Sequence, residues 1–158
     1  MMEIRSKLPI KGRVDYVCRG QDGEIKWTHH TPQNTITELH DAMVADRISG
    51  GADTLITHCH CGTGAGQGAA DTNLAAPIAE NRTAVDSTTQ GAGASDNDVV
   101  YVTTFPAGVC TGAIEEAGLF SAIAVATADM KCYDDTISKV KGALDSLVIT
   151  WTNTYGAS

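Results

Sequence analysis

Large rings are scarce in this chain: aromatic residues make up 5% of its 158 positions, while Gly, Ala and Thr are abundant. That mix suits short strands joined by many tight turns. No apolar run approaches the roughly 20 residues that a bilayer-spanning helix needs. The first residues, MMEIRSKLPIKGR, carry charge but no apolar h-region, so no secretory signal is expected. Basic residues are also few. Eleven Lys and Arg, scattered along the sequence, stand against 19 Asp and Glu, for a net charge of −8 and a pI near 4.9. Nucleic acid and anionic membranes attract clustered positive charge, and neither is expected as a partner. There is no internal repeat, no interdomain linker, no G-x-S-x-G elbow and no phosphate-binding G-x-x-x-x-G-K-[ST] loop.

What remains is an ordinary folding chain. Apolar residues reach 42% and charged residues 19%. A chain of this length is one domain that buries roughly two-thirds of its unfolded surface. Residues 1–11 read as an N-terminal arm or edge segment, since Pro9 opposes regular structure there, and residues 12–158 read as one domain. Residues 12–19 alternate, with Val14, Tyr16 and Cys18 on one face. Gln21-Asp22-Gly23-Glu24 is a turn of the kind that a two-residue hairpin loop uses, and Ile25 to Thr31 is the partner strand. Ile36, Leu39, Met43, Val44 and Ile48 recur at helical spacing. Thr35 or Thr37 caps that helix, and Gly50-Gly51 ends it.

Further strands are expected at 53–61, 82–89, 99–105, 114–120, 125–133 and 146–155. A flexible Gly-rich loop spans 62–68, a short helical turn 71–80, a loop 90–97, and turn chemistry 106–112. Seven or eight short strands with one early helix and no βαβ rhythm predict a mainly β fold. The expected form is an antiparallel β-sandwich, jelly-roll-like.

Few residues invite chemistry. His58-Cys59-His60-Cys61 offers zinc or copper ligands, but strand parity puts the two His on one face and the two Cys on the other. The expectation is Cys59 and Cys61 in the core and His58 and His60 outward or at an interface, the two His being the metal candidates. Gly64, Gly66 and Ala69, with Asp86 downstream, loosely fit a dinucleotide turn, yet Pro77 and a weak helical pattern follow, so no cofactor is expected. His29, His30 and His40 read as surface or cap residues. Glu115 and Glu116 are neighbours, so on a strand they face apart and cannot converge as a glycosidase pair. The alternative role is a buried or interfacial Glu that accepts hydrogen bonds from turn N–H groups or pairs with Arg13 or Arg82. No catalytic residue is assigned. The five cysteines, Cys18, Cys59, Cys61, Cys110 and Cys132, are an odd number, unlike a closed disulfide framework. They read as small buried hydrophobes, as partners in disulfides within or between subunits formed after release from the cell, or as metal ligands.

Two segments carry a resemblance. VVYVTTFPAGVCTGAIEEAGLF, residues 99–120, and DSLVITWTNTY, residues 145–155, are similar to segments that recur in small structural proteins of tailed bacteriophages. Those proteins show Tyr-x-x-Thr-Phe-x-Ala-Gly, then Thr-Gly-x-Ile-x-Glu-Ala-Gly-Leu-Phe, and close on a Thr-Ile-Thr-Trp-Thr-type strand. Asn34-Thr35 and Thr57-His58-x-x-x-Gly62-Thr63-Gly64 look like the family's helix entry and strand-to-loop junction. The chain departs in lacking Gly after Thr37 and in placing cysteines around 59–61. The resemblance implies a non-enzymatic virion component, assembled in the host cytoplasm and located in the virion. Its partners are then the major capsid protein or other virion proteins. Capsid decoration, cement or head-linking is the first role expected, through a homo-oligomer such as a trimer at a three-fold site. A collar, baseplate or tail-fibre part in host attachment is the second. A metal- or glycan-binding module, or an enzyme, is the third. Exposed thiols at subunit contacts, Cys110 among them, are expected to act as covalent staples outside the cell.

Overall fold

Val14, Tyr16 and Cys18 do share a face, and all three are buried. They belong to a ten-residue strand in a computed structural model that describes residues 9–156. The chain runs β1 (Ile10–Arg19), β2 (Ile25–Thr31), β3 (Thr35–Ile36), α1 (Glu38–Ile48), β4 (His58–Gly62), β5 (Thr83–Ala84) and β6 (Ser87–Gln90). It continues with β7 (Asp98–Phe105), β8 (Gly112–Ile114), β9 (Glu116–Phe120), β10 (Cys132–Asp134), β11 (Lys139–Lys141) and β12 (Ser146–Tyr155). One five-stranded antiparallel sheet has the order β2-β1-β12-β7-β6, another has β3-β10-β9-β4-β5, and β11-β8 is a separate ribbon. The protein is mainly β, with one α-helix among the described residues and a sandwich-like arrangement.

Alternation builds the core. Val14, Tyr16 and Cys18 of β1, Tyr101 and Phe105 of β7, and Leu147, Ile149 and Trp151 of β12 meet Cys59, Cys61, Ala117, Leu119 and Cys132 of the second sheet. The other face of the second sheet is covered too. Phe120 and Tyr133 join Leu74 and Met130 in a second apolar cluster, under segments 63–82 and 121–131. Every residue of β9 is therefore buried, and the strand shows no alternation.

One cation organises the 121–131 segment. The fully buried Arg82 guanidinium lies 3.6 Å from the Phe120 ring centroid and donates to the carbonyls of Ala122 (3.0 Å), Val125 (3.2 Å) and Thr127 (2.7 Å). It also pairs with Asp129 at 2.5 Å, whose second oxygen accepts the Ser121 N–H at 2.7 Å. Residues 125–131 are thus not the expected strand: their carbonyls turn to a side chain, and only Cys132–Asp134 joins a ladder.

Other boundaries shift for comparable reasons. The expected strand 53–61 begins only at His58, because the Asp53 N–H is taken by Asp46 Oδ2 at 2.7 Å. The expected strand 82–89 is broken at one peptide. Val85 N–H bonds to Thr57, just before β4 of the second sheet, and Asp86 N–H to Val102 of the first, so the chain changes sheets there. Segment 71–80 is irregular rather than a helical turn. The expected strand 114–120 is interrupted at Glu115, and β11 was not anticipated. The hairpin loop is longer than two residues, and Gly23 alone within it takes the left-handed conformation, at φ 83. Thr37 rather than Thr35 caps α1, accepting from His40 N at 3.3 Å, and Gly50 at φ 87 follows the helix end as expected. The helix buries His40 and Met43 and leaves Ile48 76% exposed, so its buried face is turned from the anticipated stripe. Residues 1–8 of the expected arm lie outside the described residues, and β1 starts directly after Pro9.

Arg82→Met removes five hydrogen bonds and leaves Asp129 unpaired. The expected loss is about 3 kcal/mol in urea unfolding. Limited proteolysis is expected to cut the variant within 121–130 first. Unchanged stability with wild-type cleavage contradicts this account of the segment.

Candidate functional site

Glu115 and Glu116 part as strand geometry requires. Glu115 is half-buried and accepts from Ser138 Oγ at 3.3 Å. Glu116, fully buried on the outer face of β9, accepts from the N–H groups of Gly64 (3.1 Å), Ala75 (3.0 Å) and Ala76 (2.7 Å) and from Tyr133 Oη (2.8 Å). This is the turn-amide role. Arg82 belongs to Asp129, and among the described residues Glu116 has no basic partner. The carboxylate explains the local glycines. A Cβ at Gly62 would lie 2.4 Å from Glu116 Oε1, and one at Gly64 would lie 2.6 Å from Ala75 Cβ.

Three amides of the Gly-rich loop are each met by a carboxylate. Gly64 N–H points at Glu116, Gly66 N–H at Asp135 Oδ2 (2.9 Å), and Gly68 N–H at Asp71 Oδ2 (2.7 Å). A dinucleotide turn presents such amides to a pyrophosphate. Here the protein's own carboxylates occupy them, no helix follows, and Asp86 sits at the crossing between sheets.

The metal and thiol candidates resolve by strand parity. Cys59 and Cys61 face the core as expected. Of the two His expected outward, His58 is half-buried, with Nδ1 2.8 Å from Thr57 Oγ1. His60 is fully buried, because residues 76–80 cover that face and the Ile78 carbonyl lies 2.8 Å from Nε2. Among the described residues, no group of three or more His, Cys, Asp and Glu is arranged to hold a metal ion. All five cysteines are free and buried, with none at disulfide distance, which removes the exposed-staple expectation for Cys110 and for the others. Burial pushes the Cys59 and Cys132 thiols up to about 12.

His29 and His30 are the surface residues expected: His29 packs against the Tyr16 ring, and His30 pairs with Asp15 at 2.6 Å. His40 is not. It is fully buried, with Nδ1 3.4 Å from Cys132 Sγ and Nε2 2.9 Å from Tyr155 Oη. Burial lowers its pKa to about 4. Local reading missed Asp134, and it paired Arg82 with a Glu where the structure pairs it with Asp129. Asp134 accepts from Tyr16 Oη at 2.5 Å and from Thr31 Oγ1 at 2.9 Å, joining the two sheets. No local pattern marks Asp134, since Asp135 beside it is exposed.

Glu116→Gln replaces an acceptor oxygen by an amide that faces N–H donors. The expected cost is about 2 kcal/mol in urea unfolding, with faster amide exchange at 64 and 75–76. His40 gives a pH dependence. Its folded pKa lies below the unfolded value, so its stabilisation is complete above pH 6.5 and is lost as pH falls toward 4. The change is of the order of 3 kcal/mol. His40→Gln is expected to flatten that part of the stability profile, and an unaltered slope contradicts the assignment. No family model, curated protein or solved structure matches the chain.

Proposed function

We propose that this chain is a non-enzymatic structural component of a tailed-bacteriophage virion, acting as a capsid decoration, cement or head-linking protein. The observation that supports the reading is an apolar groove at one end of the first sheet, with exposed apolar side chains on the rim of a polar depression at the other. Ile25 (54% exposed) and Leu144 (61%) flank one open depression whose other walls carry Asp22, Glu24, Lys26 and Asp145, and Val140 is 65% exposed, its carbonyl held by Trp27 Nε1 at 2.8 Å. Ile48 (76%) and Leu55 (50%) line a groove of about 470 Å³ with Val99, Tyr101 and Tyr155. The register separates the two. Arg19, partner of Ile25, pairs with Ser146 at the start of β12, and the second patch gathers at Tyr155, its end. Exposed apolar side chains at both ends of one sheet suit a module that contacts neighbours on both sides.

Within this reading the partners are the major capsid protein or other virion proteins, and a homo-oligomer, a trimer at a three-fold site, multiplies each weak contact. The measurement is copy number in purified virions by quantitative mass spectrometry. Hundreds of copies per particle are expected. A dozen or fewer moves the protein to a collar, baseplate or fibre, and its absence from particles overturns the virion role. Leu144→Lys and Ile48→Lys are each expected to weaken particle association while leaving the unfolding free energy within about 0.5 kcal/mol of wild type.

A further inference from the structure

The groove at the Tyr155 end of the first sheet continues the core to the surface. Its floor carries Thr88 of β6, Val99 and Tyr101 of β7 and Tyr155 of β12. Strand parity puts Val99, Tyr101 and Tyr155 on the same inner face as Phe105 and Trp151, which lie deeper in the sandwich. Helix α1 forms one wall, where Ile48 is 76% exposed, and Leu55, ahead of β4, is 50% exposed. About 470 Å³ of apolar-walled space is thus open between a helix and a sheet. Apolar surface of this kind is the usual mark of a contact.

Residues 1–8 join the body at the edge of that groove. The Gly156 N–H donates to the Pro9 carbonyl at 2.9 Å, and Ile10 pairs with Tyr155, a residue of the floor. Ile10 also shares the face of β1 that carries Val14 and Tyr16, which is the face that the groove opens. From β1 across β12 to β7 is two strand spacings, roughly 10 Å. Eight extended residues reach about 26–29 Å, enough to cross under β12 and lie along the floor with the Ile10–Tyr155 pair intact.

The sequence of this stretch, MMEIRSKL, matches the surface beside it. In extended form Met2, Ile4 and Leu8 fall on one side with Ser6 between them, and Glu3, Arg5 and Lys7 fall on the other. A strand lying on an apolar groove requires that period of two, with one side covered and one side wet. Arg5 and Lys7 against Glu3 also make the stretch basic, on a chain whose net charge is −8. Tethering favours the chain's own segment over that of a second copy. A short flexible connection holds a segment at a millimolar effective concentration, which a separate copy matches only at millimolar protein.

We infer that residues 1–8 occupy this groove of their own chain as an extended strand, with Met2 and Ile4 packed between α1 and β7 and with Glu3, Arg5 and Lys7 in solvent. The contact belongs to the free chain and does not depend on a place in a virion. A neighbour at this end of the sheet then meets three charged side chains together with the rim of the groove.

The test uses the full chain. Isotope-edited NOE spectra of uniformly labelled protein are expected to link the Ile4 methyl groups to the ring of Tyr101 or Tyr155. A mixture of labelled and unlabelled chains, filtered for contacts between copies, is expected to show no such link. Trypsin gives a second readout, because Arg5 and Lys7 are cleavage sites within the segment. Ile48→Asp is expected to speed cleavage after Arg5 at least about tenfold, while Ile25→Asp, at the other end of the sheet, leaves the rate unchanged. The wild-type first-order rate is expected to hold over about a hundredfold dilution. Absence of any NOE from residues 1–8 to the groove, contacts only between copies, protection lost on dilution, or equal cleavage of Ile48→Asp and wild type overturns the inference. The wild-type spectra decide even if the variant does not fold.

Discussion

A carboxylate without water must be met by donors, and Glu116 shows how far that demand reaches. It sits on the outer face of a strand whose inner face is already core, so burying it ionised requires several hydrogen bonds at once. Three come from backbone amides in two stretches of the one β4–β5 connection, and one from Tyr133. The two stretches must approach closely, which is why no side chain fits at Gly62 or Gly64. Once there, they seal the second sheet. Arg82 does the converse with carbonyls, gathering 121–131 over Phe120. A carboxylate and a guanidinium thus replace a third layer of regular structure.

The same device marks the limit of what local sequence reveals. β1, β7 and β12 were legible because each has one core face and one wetter face, which imposes a period of two. The hairpin and helix ends were legible from Gly23, Thr37 and Gly50. β9 was found by its apolar content, but its burial on both faces was not. Residues 71–80 and 125–131 were misread because backbone groups in them bond to Glu116 and Arg82, residues distant in sequence. His60 follows from that omission: parity placed it correctly on the outer face, and only the covering loop makes that face interior.

Of the candidate chemistry, parity separated Glu115 from Glu116 and placed Cys59 and Cys61 inward. It gave no account of Cys110, whose position depends on Glu80 and on one left-handed residue after a turn. His40 escaped for a similar reason. An amphipathic reading places a polar residue on the wet side of a helix, but this one has Cys132 and Tyr155 as buried partners. The interior is polar where the loops seal it and thiol-rich between the sheets. Among the large apolar groups left outside, Ile25 and Leu144 lie at one end of the long sheet and Ile48 and Leu55 at the other, while Ile123 is exposed on the 121–131 segment.

The pairing of β1 with β12 over its full length, from Ile10 with Tyr155 to Arg19 with Ser146, has a temporal meaning. The earliest long strand finds its central neighbour only in the last. During synthesis, β1 and β2 can close as a hairpin, but the sheet has no middle until β12 emerges. β7, made well before, waits with one edge open for the same strand. Loop-closure entropy then falls mainly on one late event, so the sheet assembles slowly and nearly all at once. Until then the chain carries unpaired strand edges, the interval in which a chaperone or an assembling neighbour finds it most adhesive.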